Sequence, residues 1–585
     1  MTSVPSMDPL RDRASALGVE VVYEDVDQRL HEADPDALAH VVTVLEEDAA
    51  RSRGSVVPPV YVLDGSPLRV GAPVHEAGLT IGGSTEMIEL RPDGEASEVA
   101  ILPAEMPVGC HDLIVDTGTG EERCLVVVPP ATMPGLAPGT RYSSLFVPAY
   151  ALWTSESPLP SFTHLAAMAR TLDAHRIDML ATLPLYATFL DDPYDPSPYS
   201  PISRLHWNEV YLDDDTLPAA PRPEADEMVD WRALASRRRA QLIDAASTLD
   251  EDTARRLERF VSEHPDVAGY ARFRSAREAN GDALVERSHQ LAQLMCDEQL
   301  GAVRREAEAG LSLDLPVGSH PAGYETWAHP ELFASATAVG APPDTFFRAG
   351  QNWGFPPQLP GAMRSSGYAL WRQMVERAAR HCDLLRIDHV MAVHRLWWVP
   401  DGMGADRGVY VRYPREELLA VIAATAAGAG VGVVGENLGT VPPEVADALD
   451  RWQVLGMHEE QFVMDGLDLA EIPSRSVAGV RTHDMEAFAA FVADSDLSDY
   501  ELLLDTGDVD RPDEPLYDRV LRRLAASDAA MVVADLDDML DETRPHNLPG
   551  RVVPGIWQRR LGRPLADVMN DDTVTRRLDI LGRTS

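Results

Sequence analysis

The chain has 585 residues, of which 45% are hydrophobic, and its formal net charge at pH 7 is -43. Such a length and apolar content predict two or three folded units rather than a disordered chain. The strong negative charge disfavours binding to nucleic acids and to anionic membranes, because both partners are themselves negatively charged.

The sequence contains no lysine, so arginine supplies all 51 basic residues. This excludes Schiff-base chemistry, attachment of pyridoxal phosphate and the lysine of a phosphate-binding P-loop. The four cysteines lack the spacing of a zinc site or a disulfide framework, so we predict no metal and no cofactor. We find neither a secretory leader pattern nor an apolar run of about 20 residues, so a cytoplasmic location is expected.

The N-terminal part of the chain changes its pattern near residue 56. Residues 8–50 carry two helical patterns, "MDPLRDRASALG" and "DPDALAHVVTVLEEDAA", each with an Asp-Pro pair near its start. Short apolar runs separated by Gly- and Asp-containing turns then follow to about residue 128. We therefore predict a helical segment at 1–55 and a β-sandwich-like domain at 56–135.

From residue 136 to residue 585 the pattern becomes strand, turn and helix in repetition. The candidate strands are 143–152, 177–185, 311–317, 384–390, 431–438, 459–465, 476–484 and 529–538. Eight such runs with helical segments between them predict an α/β fold, a parallel (β/α)8 TIM barrel, rather than an open sheet. The long gap after the second run predicts a helical insertion at about 216–305.

Carboxylates stand at or near the carboxyl ends of four candidate strands. They are Asp314, Asp388, Glu436 and Asp484. The carboxyl ends of barrel strands share one face, where such enzymes carry their catalytic groups. One Asp in this position is more often a turn or helix-cap residue, but four of them, with Arg386 near Asp388, indicate an active site.

Clustered carboxylates with a neighbouring arginine suit the cleavage of a glycosidic bond. A retaining glycosidase uses one ionised carboxylate to attack the anomeric carbon and a second, protonated one to protonate the leaving oxygen. Arg386, two residues before Asp388, favours the ionised form of that carboxylate. The pattern thus assigns Asp388 to the first role and Glu436 to the second.

Several longer blocks of the sequence resemble one known family. They include "PSPYSPISRLHWNEVYLD", "LDLPVGSHPAGYETWAHPELF", "GAPPDTFFRAGQNWGFPP", "LLRIDHVMAVHRLWWVP", "GENLGTVPPEV", "RTHDM" and "HNLPG". In this order and spacing, from about 140 to about 560, they resemble the 4-α-glucanotransferases (amylomaltases or disproportionating enzymes) of glycoside hydrolase family 77. The resemblance also accounts for a helical and β-rich region ahead of the barrel, which longer bacterial members carry.

The resemblance implies a role for each matching residue. Asp388 would be the nucleophile, Glu436 the general acid and base, and Asp484 the carboxylate that holds sugar hydroxyls and stabilises the transition state. The implied sugar-binding residues are Arg386, His389 and His483, with Asp314, Tyr199 and Gln351 nearby. The implied substrates are maltodextrins and other α-1,4-glucans, with glucose as an acceptor, and no cofactor is needed.

Some of these residues also fit other interpretations. A lone His is often a hydrogen-bonded core residue, but His389 and His483 each adjoin a proposed catalytic Asp, which favours a functional role. Tyr199 lies in a loop, and the resemblance alone singles it out. Trp353, in the loop "QNWGFPP", is the Trp that best fits stacking on a sugar.

The chain departs from the family pattern in two places. It has "YALWTSESPLPSFTHL" where members often have a Gly-rich, Asp-containing turn, and Asn437 where Asp is more usual. Two other functions therefore stay open, an α-glucan hydrolase with the same residues and a non-catalytic glucan-binding protein. The presence of both a nucleophile and an acid disfavours the binding protein.

Overall fold

The structure is a computed structural model of the chain. It describes residues 9–25, 29–51, 55–71, 76–92, 98–118, 120–136, 139–219, 227–344, 347–438, 441–466, 471–505, 513–550 and 555–582. The chain divides into two compact units. The first unit comprises Met1–Pro134, His329–Ala379 and His389–Val454, and the second comprises Gly135–Ala328, Arg380–Asp388 and Leu455–Ser585.

The first unit begins with two helices and a small hairpin. Its first elements are α1 (Pro9–Ala16), β1 (Val22–Glu24), β2 (Leu30–Glu32) and α2 (Pro35–Arg51). Helix α2 buries Leu38, Val41 and Leu45, whose spacing of three to four residues places them on one face. Asp34 caps this helix, because its Oδ1 accepts the N–H groups of Asp36 and Ala37.

Two β-sheets follow in the first unit. Their strands are β3 (Val60–Val62), β4 (Leu68–Val70), β5 (Glu76–Ile81), β6 (Ser84–Met87), β7 (Glu89–Pro92), β8 (Glu98–Ile101), β9 (Gly109–Asp116) and β10 (Glu121–Val128). One sheet has the order β3-β10-β9-β5-β6 and the other the order β4-β8-β7. Leu68 and Val70 of one sheet share a buried core with Leu79, Leu113 and Val126 of the other. This is the packing of the predicted β-sandwich.

The remaining elements are a series of strands and helices. From residue 135 to 328 they are β11 (Tyr142–Phe146), α3 (Phe162–His175), β12 (Met179–Ala181), α4 (Trp231–Ser247), α5 (Glu251–Glu263), α6 (Pro265–Ala279), α7 (Ala283–Glu306), β13 (Gly310–Leu315) and α8 (Tyr324–Ala328). Helices α4 to α7 therefore stand between the second and third strands of this series, where the sequence predicts a helical insertion.

The series continues to the end of the chain. From residue 329 to 454 the elements are β14 (Thr337–Ala341), β15 (Gln351–Asn352), α9 (Pro360–Ser365), α10 (Ala369–Ala379), β16 (Leu384–Ile387), β17 (Arg395–Pro400), β18 (Val409–Arg412), α11 (Arg415–Gly428), β19 (Gly432–Gly435) and α12 (Pro443–Arg451). The last ones are β20 (Gly456–Glu459), α13 (Glu460–Gly466), β21 (Ser476–Gly479), α14 (Phe488–Asp494), α15 (Ser498–Asp505), α16 (Leu516–Ala526), β22 (Met531–Asp535), α17 (Leu536–Met539), α18 (Leu565–Met569) and α19 (Asp572–Leu581).

The second unit contains a sheet of parallel strands. Along it the order is β16-β13-β12-β11-β22-β21-β20, and the paired neighbours run parallel. Helical connections join these parallel strands, which is the arrangement of the (β/α)8 barrel class. The predicted fold class is confirmed.

One predicted strand is wrong in its position. The sequence predicts the sixth strand at 459–465, whereas β20 is Gly456–Glu459 and helix α13 begins at Glu460. Glu460 and Met464 are buried while Phe462 is 46% exposed, which is the four-residue spacing of a helix face. The division into domains at residues 55 and 135 stays a prediction. In the described part of the chain, no helix is both long and apolar enough to cross a membrane.

Candidate active site

Asp388 directly follows β16 and is nearly buried, with 8% of its surface exposed. Its backbone N–H donates to the carbonyl of Leu315 on the neighbouring strand, at 3.0 Å. Oδ1 accepts from the Arg386 guanidinium at 3.3 Å, and Oδ2 accepts the Val317 N–H at 3.2 Å. A cation and an amide donor both favour the ionised carboxylate, as a nucleophile requires.

Arg386 also contacts a second carboxylate, that of Asp314. The parallel register of β13 and β16 pairs these two residues directly, so their side chains meet. Arg386 and the Tyr199 hydroxyl both donate to Asp314 Oδ2, at 2.5 Å and 2.6 Å. Burial, and next the charge of Asp314, raise the pKa of Tyr199 well above its usual value. The phenol therefore stays protonated and remains a hydrogen-bond donor.

A buried ion pair supports the loop that carries the Val317 amide. Arg204 donates to the carbonyl of Val317 at 2.9 Å and also to that of Pro316 at 3.3 Å. Glu325 binds the same guanidinium at 2.9 Å and 3.1 Å, and the two side chains are 2% and 0% exposed. These bonds fix the peptide whose N–H points at Asp388.

Asp484 lies after β21 in a second group of the same unit. Its Oδ1 accepts from the Asn547 side-chain amide at 2.6 Å and lies 3.2 Å from Nε2 of His483. The side chain of Asp484 is 37% exposed, while that of His483 is buried. Tyr199 stacks on His483, with ring centroids 4.8 Å apart and planes 4° apart. This stack joins the Asp484 group to the group around Asp314 and Asp388.

A further aromatic residue borders this stack. The ring of Trp557 lies 5.9 Å from that of Tyr199 and 6.0 Å from that of His483, tilted at 46° and 49°. Together the three rings form an aromatic wall next to the hydrogen bonds of Asp484.

Glu436, in the first unit, directly follows β19. The strand ends at Gly435, where an added Cβ would lie 2.7 Å from Cγ2 of Val390, so only glycine permits this approach. The N–H of His389 donates to Glu436 Oε2 at 2.8 Å, and that of Val390 donates to the Glu436 carbonyl at 2.9 Å. His389 itself has a left-handed conformation, with φ of 43°.

The surroundings of the His389 imidazole favour its neutral form. Burial lowers its pKa below the ordinary value, and the nearby charge of Glu436 opposes this only in part. The ring of Trp353 meets it edge-on at a centroid distance of 5.1 Å, and Trp353 Nε1 donates to Gln351 Oε1 at 3.4 Å. Gln351 and Trp353 are half-buried.

The residues predicted from the sequence thus fall into two sets. The second unit contains Tyr199, Asp314, Arg386, Asp388, His483 and Asp484, and the first contains Gln351, Trp353, His389 and Glu436. The Val317 amide, Asn547 and Trp557 are not among the residues predicted from the sequence, although Asn547 lies in the block "HNLPG". Within the described ranges no cluster of three or more His, Cys, Asp and Glu residues is arranged to hold a metal ion.

A (β/α)8 barrel with carboxylates and an arginine at its strand ends is typical of enzymes that act on glycosidic bonds. The sequence model of glycoside hydrolase family 77, described as 4-alpha-glucanotransferase, matches residues 147–287 and 284–565. The chain belongs to this family. The family and the enzyme class predicted from the sequence are therefore confirmed.

Individual relatives agree with this assignment. A 4-alpha-glucanotransferase of Mycobacterium tuberculosis is 30% identical over 521 residues, covering 74% of this chain and 70% of that protein. One from Haemophilus influenzae is 24% identical over 691 aligned residues, covering 98% of both proteins.

Solved structures share the fold. An amylomaltase of Corynebacterium glutamicum superimposes with a TM-score of 0.84 at 20% identity, covering 98% of this chain and 99% of that one. An amylomaltase of Streptococcus agalactiae in complex with acarbose has a TM-score of 0.67 at 22% identity, covering 76% and 98%.

Proposed function

We propose that this chain transfers α-1,4-glucan segments between maltodextrins through a covalent glycosyl-enzyme, with retention of configuration at the transferred carbon. The observation that carries the proposal is the environment of Asp388 in a member of this family. Its carboxylate is held by a guanidinium and a backbone amide at the end of a barrel strand. These two contacts favour the ionised form of the Asp388 carboxylate and fix its orientation, as a nucleophile requires.

In the first half of the reaction, Asp388 attacks the anomeric carbon of the sugar to be transferred. The bond from that carbon to the leaving oxygen breaks, and Glu436 gives its proton to this oxygen. The fragment on the reducing side departs with a free 4-hydroxyl. The other fragment remains as an ester of Asp388.

In the second half, Glu436 takes the proton from the 4-hydroxyl of an acceptor glucan, and the oxygen of this hydroxyl attacks the anomeric carbon of the glycosyl ester, so that the bond from this carbon to the Asp388 oxygen breaks. A new α-1,4 bond forms and the Asp388 carboxylate is released. Glucose and maltodextrins are the proposed acceptors. The proposal needs no metal and no cofactor, because carboxylates carry every proton and covalent step.

The remaining residues are proposed to hold the sugar. Asp484, which is held by Asn547, accepts hydrogen bonds from sugar hydroxyls and stabilises the positive charge that develops in the transition state. The second buried oxygen of Asp314, Oδ1, has no hydrogen-bond partner among the described residues, and a sugar hydroxyl would supply one. Arg386, His389, His483, Tyr199, Gln351 and Trp353 complete the proposed sugar-binding set.

The predicted cytoplasmic location, where maltodextrins and glycogen would be the substrates, belongs to this proposal.

Incubation with maltotriose alone tests the function. A transferase yields glucose and a ladder of longer maltodextrins while the number of reducing ends stays almost constant. Transfer prevails over hydrolysis when a bound acceptor hydroxyl has a higher effective concentration than water near the anomeric carbon of the glycosyl-enzyme. A steady rise in reducing ends without longer products would favour the hydrolase, and an unchanged trisaccharide would favour the binding protein.

A further inference from the structure

A fully buried histidine lies beside the Asp484 group without belonging to it. His546 is 1% exposed, and its ring nitrogens lie 2.9 Å from the Tyr150 hydroxyl and 2.8 Å from Asp537 Oδ2. A carboxylate can only accept, so Nε2 carries a proton and donates to Asp537, while the Arg559 guanidinium lies 3.2 Å from the same nitrogen. Asp537 is held in turn by Arg559. The orientation of the imidazole is therefore fixed from both sides.

The backbone around this ring carries two side chains of the site. The next residue, Asn547, donates to Asp484 Oδ1 at 2.6 Å. The carbonyl of His546 accepts the N–H of Trp557 at 3.1 Å. His546 is thus bonded through its side chain to the protein core and through its main chain to the aromatic wall.

Trp557 needs this support because its backbone is strained. It has a φ of 59°, in the left-handed region that a bulky residue rarely adopts and that costs roughly 1–2 kcal/mol. Its N–H is bonded to His546, and its carbonyl accepts from Nε1 of Trp231, at the start of α4, at 2.8 Å. The two bonds hold the indole against Tyr199 and His483.

We propose that His546 is a positioning residue for the transfer reaction. It places the Asn547 amide on Asp484 and the Trp557 indole on the Tyr199–His483 stack. The proposal rests on the proposed function, because it assigns its effect to the transition-state role of Asp484. His546 itself touches neither Asp388 nor Asp484 in the contacts described, so its effect must pass through Asn547 and Trp557.

The test compares two buried histidines that have similar surroundings. His381 is 4% exposed, its Nε2 lies 2.8 Å from Asp297 Oδ1, and it meets the ring of Trp207 edge-on. We expect His546→Phe to lower kcat for maltotriose about 10- to 100-fold with a small change in KM, since sub-ångström misplacement of a reacting group is costly. His381→Phe, measured at a temperature where circular dichroism shows all variants folded, should keep kcat within about twofold of wild type.

A second variant and a double-mutant cycle keep the test independent of folding. Tyr150→Phe removes only the hydroxyl that orients the ring and should lower kcat in the same direction by a smaller factor. When either His546→Phe or Tyr150→Phe is combined with Asn547→Ala, the loss should be smaller than the product of the two single losses, because part of the effect passes through the Asn547 contact. Multiplicative losses, or equal losses in the His546 and His381 variants, would overturn the proposal. The wild-type product ladder reports the proposed function separately.

Discussion

Asp388 and Glu436 are held by different kinds of contact, although each carboxylate directly follows a strand. Asp388 contacts the permanent cation of Arg386 and the amide of Val317. Glu436 Oε2 accepts the backbone N–H of His389, and the Glu436 carbonyl accepts that of Val390. A cation favours a carboxylate that must stay ionised. The contacts of Asp388 therefore match the role proposed for it.

The two regions also differ in what fixes their geometry. Asp388 depends on the register of two strands and on the buried pair of Arg204 and Glu325. Glu436 depends on the close approach allowed by Gly435 and on the left-handed backbone of His389. On the Asp388 side, a charged side chain makes one contact directly, and a charged pair supports the loop that makes the other. Replacing these side chains one at a time therefore tests what each contributes to activity or stability.

The largest effect is expected from Asp388→Asn. The amide cannot form the glycosyl ester, so kcat should fall by about 10^5-fold or more, as for other covalent nucleophiles. Maltodextrin binding, followed by calorimetry, should change little because the replacement has nearly the same shape. Activity close to that of wild type would remove Asp388 from the role of nucleophile.

The second prediction concerns the free energy of unfolding and the loop that carries the Val317 amide next to Asp388. Glu325→Gln leaves the guanidinium of Arg204 buried without its counter-charge and should lower the free energy of unfolding by about 3–5 kcal/mol. Urea unfolding of the two proteins measures this difference. The matched control is Glu306→Gln, which breaks the exposed pair with Arg170, 52% and 44% exposed, and should cost at most about 1 kcal/mol. Equal losses in the two variants would contradict the claim that this loop depends on the buried pair.

Arg386→Lys should have a smaller effect, on rate alone. One guanidinium contacts both Asp314 and Asp388, and a lysine ammonium cannot reproduce this planar geometry. We expect kcat to fall about 100-fold, the loss typical of one removed electrostatic contact. Arg304→Lys, in the partly exposed pair with Asp383, provides the control and should leave kcat unchanged. A rate equal to wild type in Arg386→Lys would show that the cation near Asp388 is dispensable.

The smallest effect is expected from metal removal. Neither the Asp388 group nor the Glu436 group includes a metal ligand in the proposed reaction, so exhaustive treatment with EDTA should leave activity unchanged. Activity before and after dialysis against the chelator measures this. A large loss that calcium restores would reveal a structural metal ion.

The fold, and the places of four carboxylates at or near the ends of strands, could be predicted because their signals are local. Apolar runs of strand length end near Asp314, Asp388, Glu436 and Asp484, and this spacing is visible in the sequence. The strand at 459–465 was misplaced because a short apolar run has no decisive period. Buried Glu460 is compensated by Tyr500 and Arg523, contacts that only the folded chain brings together.

The supporting residues could not be predicted for a related reason. Asn547 lies 63 residues after Asp484, and no local pattern pairs them. The Val317 N–H is a backbone group, so its contact with Asp388 leaves no trace in the residue types. The position of Trp557 depends on a left-handed backbone conformation, which hydrogen bonds with His546 and Trp231 stabilise. These features depend on tertiary structure rather than on pattern.

Trapping the covalent intermediate tests the central claim most directly. Glu436→Gln should still react with α-maltosyl fluoride, because fluoride leaves without a proton, but the variant lacks the base that releases the sugar. Peptide mass spectrometry should then find one maltosyl group as an ester on Asp388. A sugar bound to any other residue, or a variant that turns over the fluoride without accumulating an ester, would contradict the assignment of nucleophile and acid.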